Sequence, residues 1–220
     1  MGLKIIITGA TGMVGEGVLL RCLESSEVQK VLSVSRKRYP LEHAKLEQCI
    51  VPDFFELEAA SSQLSGYDAC FFCAGVTSLG KNEAEYTRIT YDTTMHFARK
   101  LLALNSYMTF VYVSGVGTDS SEKGRLMWAR VKGKTENDLM RLPFKRVYNF
   151  RPGFMKDMKG QKNVRPVFKM MLVLYPVVKA LAPNMASTLE QVGTAMIKAV
   201  TVGYPKNVLE VSDINKLSES

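Results

Sequence analysis

Lys4-Ile5-Ile6-Ile7-Thr8-Gly9-Ala10-Thr11-Gly12-Met13-Val14-Gly15 decides how this chain folds. An apolar, β-branched run breaks into a turn with glycine at every third position, and a helical pattern follows. A strand that feeds a glycine-rich turn and then a helix is how a doubly wound α/β sheet grips the pyrophosphate of a dinucleotide. Glycine lets backbone N–H groups approach the phosphates with no Cβ in the way. The first free N–H groups of the helix, with its dipole, then favour the anion. The spacing is G-x-x-G-x-x-G rather than G-x-G-x-x-G. The expected cofactor contacts of this turn are Gly9, Thr11, Gly12, Met13, Val14 and Gly15.

Outward from the turn, strand-like and helix-like segments alternate. Strands are expected over residues 4–8, 30–35, 48–51, 69–73, 107–113, 146–150 and 207–211. Helices are expected over 13–25, 83–104, 125–141 and 188–201. This alternation implies an α/β fold, a doubly wound parallel sheet covered on both faces, with right-handed crossovers. No repeat and no composition break marks a second domain, so residues 1–220 read as a single Rossmann-like domain.

A chain of 220 residues with 46% hydrophobic residues can bury a sizeable core and is not disordered. No apolar run reaches the roughly 18 residues needed to span a membrane. The N-terminus lacks a signal-peptide pattern, because Ile5 to Ile7 lead straight into the glycine turn. Met1-Gly2 invites myristoylation, but position 6 is Ile where Ser or Thr is wanted. The expectation is a soluble, cytoplasmic protein. Cys70-Phe71-Phe72-Cys73 has redox-motif spacing but sits inside an expected strand, which favours a buried structural role. The net charge of +8 could mean nucleic acid or an anionic membrane surface. Neither zinc-ligand spacing nor a helix-turn-helix or RNA-recognition motif accompanies it. The charge therefore reads as cations on solvated faces, with one cluster reserved for cofactor phosphate, and neither a nucleic-acid partner nor a metal is expected.

That cluster follows strand two. In a fold of this kind, an acidic residue about 20 residues beyond the glycine turn binds the ribose 2′-hydroxyl of NAD. Here the sequence is Ser33-Val34-Ser35-Arg36-Lys37-Arg38, with three cations and no carboxylate. Arg36 and Lys37 would pair with a 2′-phosphate, so NADP is expected ahead of NAD; a solvated basic loop is the other reading. Asp53 and Phe54, after strand three, stand where such folds border the adenine. Cys73, Ala74 and Gly75 follow strand four, and Pro152 and Gly153 follow strand six. Together they form a register along the carboxyl edge of the sheet, where ligands bind.

Two further stretches carry a resemblance. Tyr112-Val113-Ser114-Gly115, followed by Trp128-Ala129-Arg130-Val131-Lys132-Gly133-Lys134-Thr135-Glu136, resembles the Ser and Tyr-x-x-x-Lys region of atypical and extended short-chain dehydrogenases/reductases. These include the NAD-dependent epimerase/dehydratase-like proteins and the oxidoreductase family related to the Tat-interacting protein. Cys73-Ala74-Gly75 and Arg151-Pro152-Gly153 fall in that family's order, and the resemblance covers roughly residues 3 to 160. It implies a Tyr acting as general acid or base, a Lys that lowers its pKa and holds the ribose, a Ser that orients the substrate oxygen, and a Pro-Gly turn beside the nicotinamide. Ser114 and Lys132 take the catalytic positions, with Lys132 also touching the cofactor. The position four before Lys132 is Trp128, whose indole N–H can donate a hydrogen bond but cannot exchange a proton at physiological pH. Three outcomes stay open. Another group supplies the proton, or the reaction is a hydride transfer needing no protein acid, or the chain binds dinucleotide without turnover as a regulatory or scaffold protein. The first two describe an NAD(P)-dependent oxidoreductase or epimerase-like enzyme.

The same resemblance implies that residues 155–205 contribute a substrate lid. Val167-Phe168-Lys169-Met170-Met171-Leu172-Val173-Leu174-Tyr175-Pro176-Val177-Val178-Lys179-Ala180-Leu181 is apolar on nearly every face. It would suit an apolar small-molecule substrate. Ordinary core, an oligomer contact and peripheral membrane contact through Arg165, Lys169 and Lys179 are the other readings.

Overall fold

Ile5, Ile6 and Ile7 place apolar β-branched side chains on both faces of one strand, and the chain buries all three completely. They form the centre of β1 (Leu3–Thr8), which pairs in parallel with β2 (Val28–Ser35) on one side and β4 (Ala69–Phe72) on the other. The computed structural model describes residues 2–163 and 175–220. With β3 (Leu46–Ile50), β5 (Thr109–Val113), β6 (Arg146–Phe150) and β9 (Val208–Leu209), these strands make a seven-stranded sheet in the order β3-β2-β1-β4-β5-β6-β9. All six neighbouring pairs of this sheet run parallel. A sheet covered on both faces needs apolar residues on both sides of each strand, and successive residues alternate between the faces. Ile5 and Ile7 meet Val18, Leu19, Val192 and Met196 in one core, while Ile6 joins Phe72, Phe97, Phe110 and Leu139 in the other.

The first core is built under α1 (Met13–Glu24), α6 (Leu189–Thr201) and α7 (Val211–Glu219). The second lies under α3 (Thr93–Leu104) and α4 (Met127–Met140), and α2 (Glu83–Thr87) precedes them in the chain. A π-helical turn, Arg88–Asp92, joins α2 to α3, so the expected helix 83–104 is one run with a widened turn. The Tyr91 hydroxyl in that turn donates to Asp138 of α4 at 2.6 Å, tying the two helices together.

The chain after β6 departs from expectation. Phe154–Lys156 (β7) and Ala186–Thr188 (β8) form a separate two-stranded parallel pair. The helix expected as part of the lid, α6, instead covers the sheet: Val192, Ala195, Met196 and Ile197 are buried against α1 and β-strand residues. The lid expectation therefore fails for residues 189–201, whose apolar face is committed to the core. A further helix, α7, follows β9. Glu210 and Asp213 form its capping box, which stops the strand at Leu209 rather than at residue 211. Residues 164–174 of the apolar stretch lie outside the described residues. Its end forms α5 (Tyr175–Leu181), where Tyr175 stacks on Phe154 and Leu181 is exposed. Among the described residues, no helix is long and apolar enough to cross a membrane.

Candidate dinucleotide site

The strand order reverses between β1 and β4, and the turns that follow these two strands are pressed together. Gly9 has φ +74°, and a Cβ there would lie 2.7 Å from the Ala74 nitrogen and the Cys73 carbonyl. Only glycine meets both demands. The Thr8 hydroxyl accepts the Ala74 N–H at 3.2 Å, which fixes the same contact from the strand side. Gly12 donates its N–H to the Gly9 carbonyl at 2.9 Å and stands as the N-cap of α1, with no side chain capping the first turn. Those uncapped N–H groups, at the positive end of the helix, suit an anion. Thr11, Gly12 and Gly75 are exposed, and Met13, Val14 and Ala74 are partly so; a Cβ on Gly75 would meet nothing within 4 Å. Gly15 has a different task. Its missing Cβ would stand 2.2 Å from the Gly9 carbonyl oxygen, so this glycine lets α1 start beneath the turn. An open, donor-lined cradle between two strand ends fits a dinucleotide pyrophosphate.

Arg36, Lys37 and Arg38 leave β2 at the same edge and are all exposed. Asp53 is exposed in the turn after β3, where its carboxylate accepts the Phe55 N–H at 2.9 Å. Phe54 corrects the expectation of an adenine wall. Its ring is buried 5.3 Å from the ring of Phe97, because the second core needs an aromatic at this corner.

The ends of β5 and β6 make the other half of the edge. The Val116 N–H donates to the Pro152 carbonyl at 3.0 Å, joining the turn after β5 to the Pro-Gly turn after β6. Pro152 is buried, and a Cβ on Gly153 would meet the Met185 carbonyl at 2.5 Å. Trp128 is partly exposed and lays its ring against Gly117. Lys132, one turn further along α4, donates from Nζ to the Ser114 carbonyl. Burial pushes the Lys132 amine down to about 8, while the Glu136 carboxylate opposes that fall.

Ser114 is the main correction at this end. Its hydroxyl was expected to orient a substrate oxygen, but it is buried and donates to Glu136, with the Phe150 carbonyl at 3.1 Å. Glu136 is fully buried and needs these donors: Arg151 binds it through two nitrogens, Nε at 3.0 Å and Nη2 at 2.5 Å. Arg151 also reaches Glu210 at 3.0 Å and the Ser120 hydroxyl at 2.6 Å. Ser114 thus positions Lys132 with its carbonyl and seals a buried ion pair with its hydroxyl. Sequence reading missed Glu136 and Arg151. The available signal was a Glu four residues after Lys132, in helical register with it, and an Arg at the end of a buried strand. The glycine of Val131-Lys132-Gly133 carries no chemistry: a Cβ there would fall 1.8 Å from the Asp119 carbonyl, so it admits the 118–124 loop onto α4.

The cysteines behave as structural residues. Cys70 is fully buried, Cys73 is partly buried, and both are free. Burial pushes their thiols upward, away from the thiolate that redox chemistry needs. Among the described residues there is no group of three or more metal-ligating side chains.

A parallel sheet in this order, with a glycine cradle where the order reverses and a Lys at the end of β5, defines a Rossmann-type nicotinamide-dinucleotide-binding protein of the short-chain dehydrogenase/reductase kind. The chain belongs to the NAD dependent epimerase/dehydratase family, whose pattern matches residues 5–122. It is similar to the Aspergillus clavatus protein fmp52, mitochondrial, at 30% identity over 73% of this chain and 70% of that protein. It is also similar to protein HTATIP2 of Rattus norvegicus, at 27% identity over 69% of this chain but only 62% of that protein. Two solved structures share the fold at 15% identity. One is a short-chain dehydrogenase/reductase of Saccharomyces cerevisiae, with a TM-score of 0.70 and 99% of both chains covered. The other is the Bordetella bronchiseptica enzyme WbmF in complex with NAD+, with a TM-score of 0.68, 99% of this chain and 78% of that one. The expected cytoplasmic location is corrected by these relatives. The A. clavatus protein and its yeast counterparts, 27 to 30% identical to this chain, are named as mitochondrial proteins.

Proposed function

We propose that the chain binds NADP(H) along the carboxyl edge of its sheet and acts as an oxidoreductase or epimerase-like enzyme on a small apolar substrate. The observation that carries the cofactor reading is the exposed Arg36-Lys37-Arg38 turn at the end of β2, with no carboxylate at the position NAD would need. When bound, the nicotinamide supplies two-electron hydride chemistry. The 9–15 turn and the start of α1 hold the diphosphate. Arg36 and Lys37 pair with the 2′-phosphate, and Asp53 borders the adenosine. Cys73, Ala74 and Gly75 line the crevice, and Pro152 and Gly153 border the nicotinamide. Lys132 holds the ribose hydroxyls. Trp128 donates an indole hydrogen bond without releasing a proton. Lys132, with its amine lowered to about 8, is then the group at this end able to give up a proton near neutral pH.

Exposed apolar side chains support the substrate class. Val76 lies in the turn after β4 and Val116 in the turn after β5, so both stand at strand ends that border the crevice. Residues 154–163 follow β6 directly and are held to the start of α1 by Gln161, which donates to the Met13 carbonyl at 2.8 Å, and they serve as the lid over this edge. A second reading, a dinucleotide-binding scaffold without turnover, is favoured by one observation: Trp128 in place of a phenol.

NADPH is expected to bind at least about tenfold tighter than NADH, roughly 1.4 kcal/mol. Arg36→Ala erases most of that gap and leaves NADH affinity nearly unchanged. Calorimetric titration checks this, and equal native affinities exclude the assignment. Lys132→Ala weakens NADPH binding by about fivefold, roughly 1 kcal/mol, the scale of one ordinary net hydrogen bond. Because the Lys132 ammonium is the binding form, native affinity falls as pH rises through about 8. That fall is absent in Lys132→Ala. A pH-independent native affinity between pH 6.5 and 9 would remove the ribose role of Lys132.

A further inference from the structure

Three exposed cations are followed by Tyr39, which is only 3% exposed. The turn they form is pinned at both ends. At its start, the Ser35 hydroxyl donates to the Lys37 carbonyl at 2.6 Å. At its end, the side-chain amide of Gln48 on β3 grips the Tyr39 backbone twice: it accepts the Tyr39 N–H at 2.8 Å and donates to the Tyr39 carbonyl at 2.9 Å. The Tyr39 phenol then reaches under the sheet edge and donates to Glu16 Oε1 at 2.7 Å. Burial and the Glu16 carboxylate push this phenol upward, so it stays a donor.

Glu16 is fully buried in the first turns of α1, one residue past the glycine cradle. Besides the phenol it accepts the backbone N–H groups of Lys162 at 3.0 Å and Asn163 at 2.7 Å. Three donors and the positive end of α1 satisfy this carboxylate. Gln161 holds the same 158–163 loop to α1 by donating to the Met13 carbonyl at 2.8 Å. Glu16 is therefore a hub on the helix whose start faces the diphosphate, and the basic turn hangs from it through Tyr39.

We propose that Tyr39 is a specificity-determining positioning residue: by tying the 36–38 turn to Glu16, it holds Arg36 and Lys37 at a fixed distance from the diphosphate cradle, ready for a 2′-phosphate. The inference rests on the reading that Arg36 and Lys37 bind that phosphate. A turn held in its bound shape loses less freedom when the phosphate arrives, and that saving applies only to ligands that carry the phosphate. The hydroxyl of Tyr39 thus acts on NADPH and not on NADH.

Tyr39→Phe keeps the buried ring and removes the single hydroxyl. The native chain, Tyr39→Phe and Gln48→Ala are titrated with NADPH and NADH, with thermal unfolding recorded in parallel. Gln48→Ala frees the backbone of the same turn and leaves Glu16 untouched. The expected result is a loss of about fivefold in NADPH affinity in each variant, with NADH affinity unchanged within about twofold. General loosening of the site would instead weaken both cofactors alike, and that outcome overturns the proposal. A native chain that prefers NADPH, with folded variants that keep the full preference, overturns the role of Tyr39 while leaving the phosphate reading intact. A native chain that does not discriminate removes the phosphate reading and this inference with it. Should Tyr39→Phe not fold, the Gln48→Ala ratio decides on the same terms.

Discussion

Gly12→Glu is expected to lower NADPH affinity by at least about 100-fold, roughly 2.7 kcal/mol, while shifting the thermal midpoint by no more than about 2 °C. Position 12 is exposed, and its φ of −105° suits any L-residue. The nearest atom to a new Cβ is the Gly9 carbonyl oxygen at 3.4 Å, an ordinary contact. The fold therefore tolerates the side chain. A carboxylate at this N-cap would itself occupy the free N–H groups of α1 and stabilise the helix. It would also meet the diphosphate with like charge. Gly15 makes a poor test, because a Cβ 2.2 Å from the Gly9 carbonyl oxygen disturbs the turn itself. Calorimetry on Gly12→Glu separates loss of the ligand from loss of the fold. Unchanged affinity in the folded variant would remove the cradle from the site.

The second large effect is a gain. Trp128→Tyr is expected to raise turnover of small apolar ketones and aldehydes by about 10²-fold, the low end for a positioned general acid. Native turnover is expected to be slow. Reduction of a carbonyl leaves an alkoxide that needs a proton, and an indole cannot supply one, which leaves the Lys132 ammonium, held on the Ser114 carbonyl, as a poorer source than a positioned phenol. The ring of Trp128 rests on Gly117 at the end of β5, and Lys132 lies one helical turn away. A phenol at position 128 would share that neighbourhood with the lysine that family resemblance pairs with it. The measurement is NADPH oxidation across a carbonyl panel, with cofactor affinity recorded for both proteins. A fast native rate that the substitution does not change would assign the proton to another group.

The parts of this molecule written in local pattern were legible in the sequence. The Ile5 to Ile7 run, the glycine spacing and the alternation of elements determine a parallel sheet and its cradle, because each uses neighbours only a few residues apart. β6 is found at the expected residues 146–150, bounded by Pro152-Gly153 on its far side. Contacts between distant segments were not legible. Phe54 has the same local surroundings whether it faces adenine or Phe97, and only the packing of the second core turns it inward. Ser114 looks like a catalytic serine from its flanks, yet Glu136 and Arg151, 22 and 37 residues away in the chain, draw its hydroxyl into the interior. The amphipathic pattern predicts a helix over residues 188–201 and the helix spans Leu189–Thr201, but a pattern does not state what its apolar face will cover, and α1 covers it. Glu16 was hidden for the same reason: a carboxylate just past a glycine turn reads as a solvated first-turn acid until Tyr39, Lys162 and Asn163 close over it.

Trp128 is the only tryptophan of the chain and stands at the end of the edge assigned to the nicotinamide. Titrating NADPH into the native protein while exciting that indole tests the dinucleotide site most directly. The expected result is saturable quenching of Trp128 emission with matching sensitised nicotinamide fluorescence, shifted to at least about 100-fold higher NADPH concentration in Gly12→Glu. Native Trp128 emission that stays unchanged up to millimolar NADPH, or energy transfer that persists undiminished in Gly12→Glu, would contradict the site.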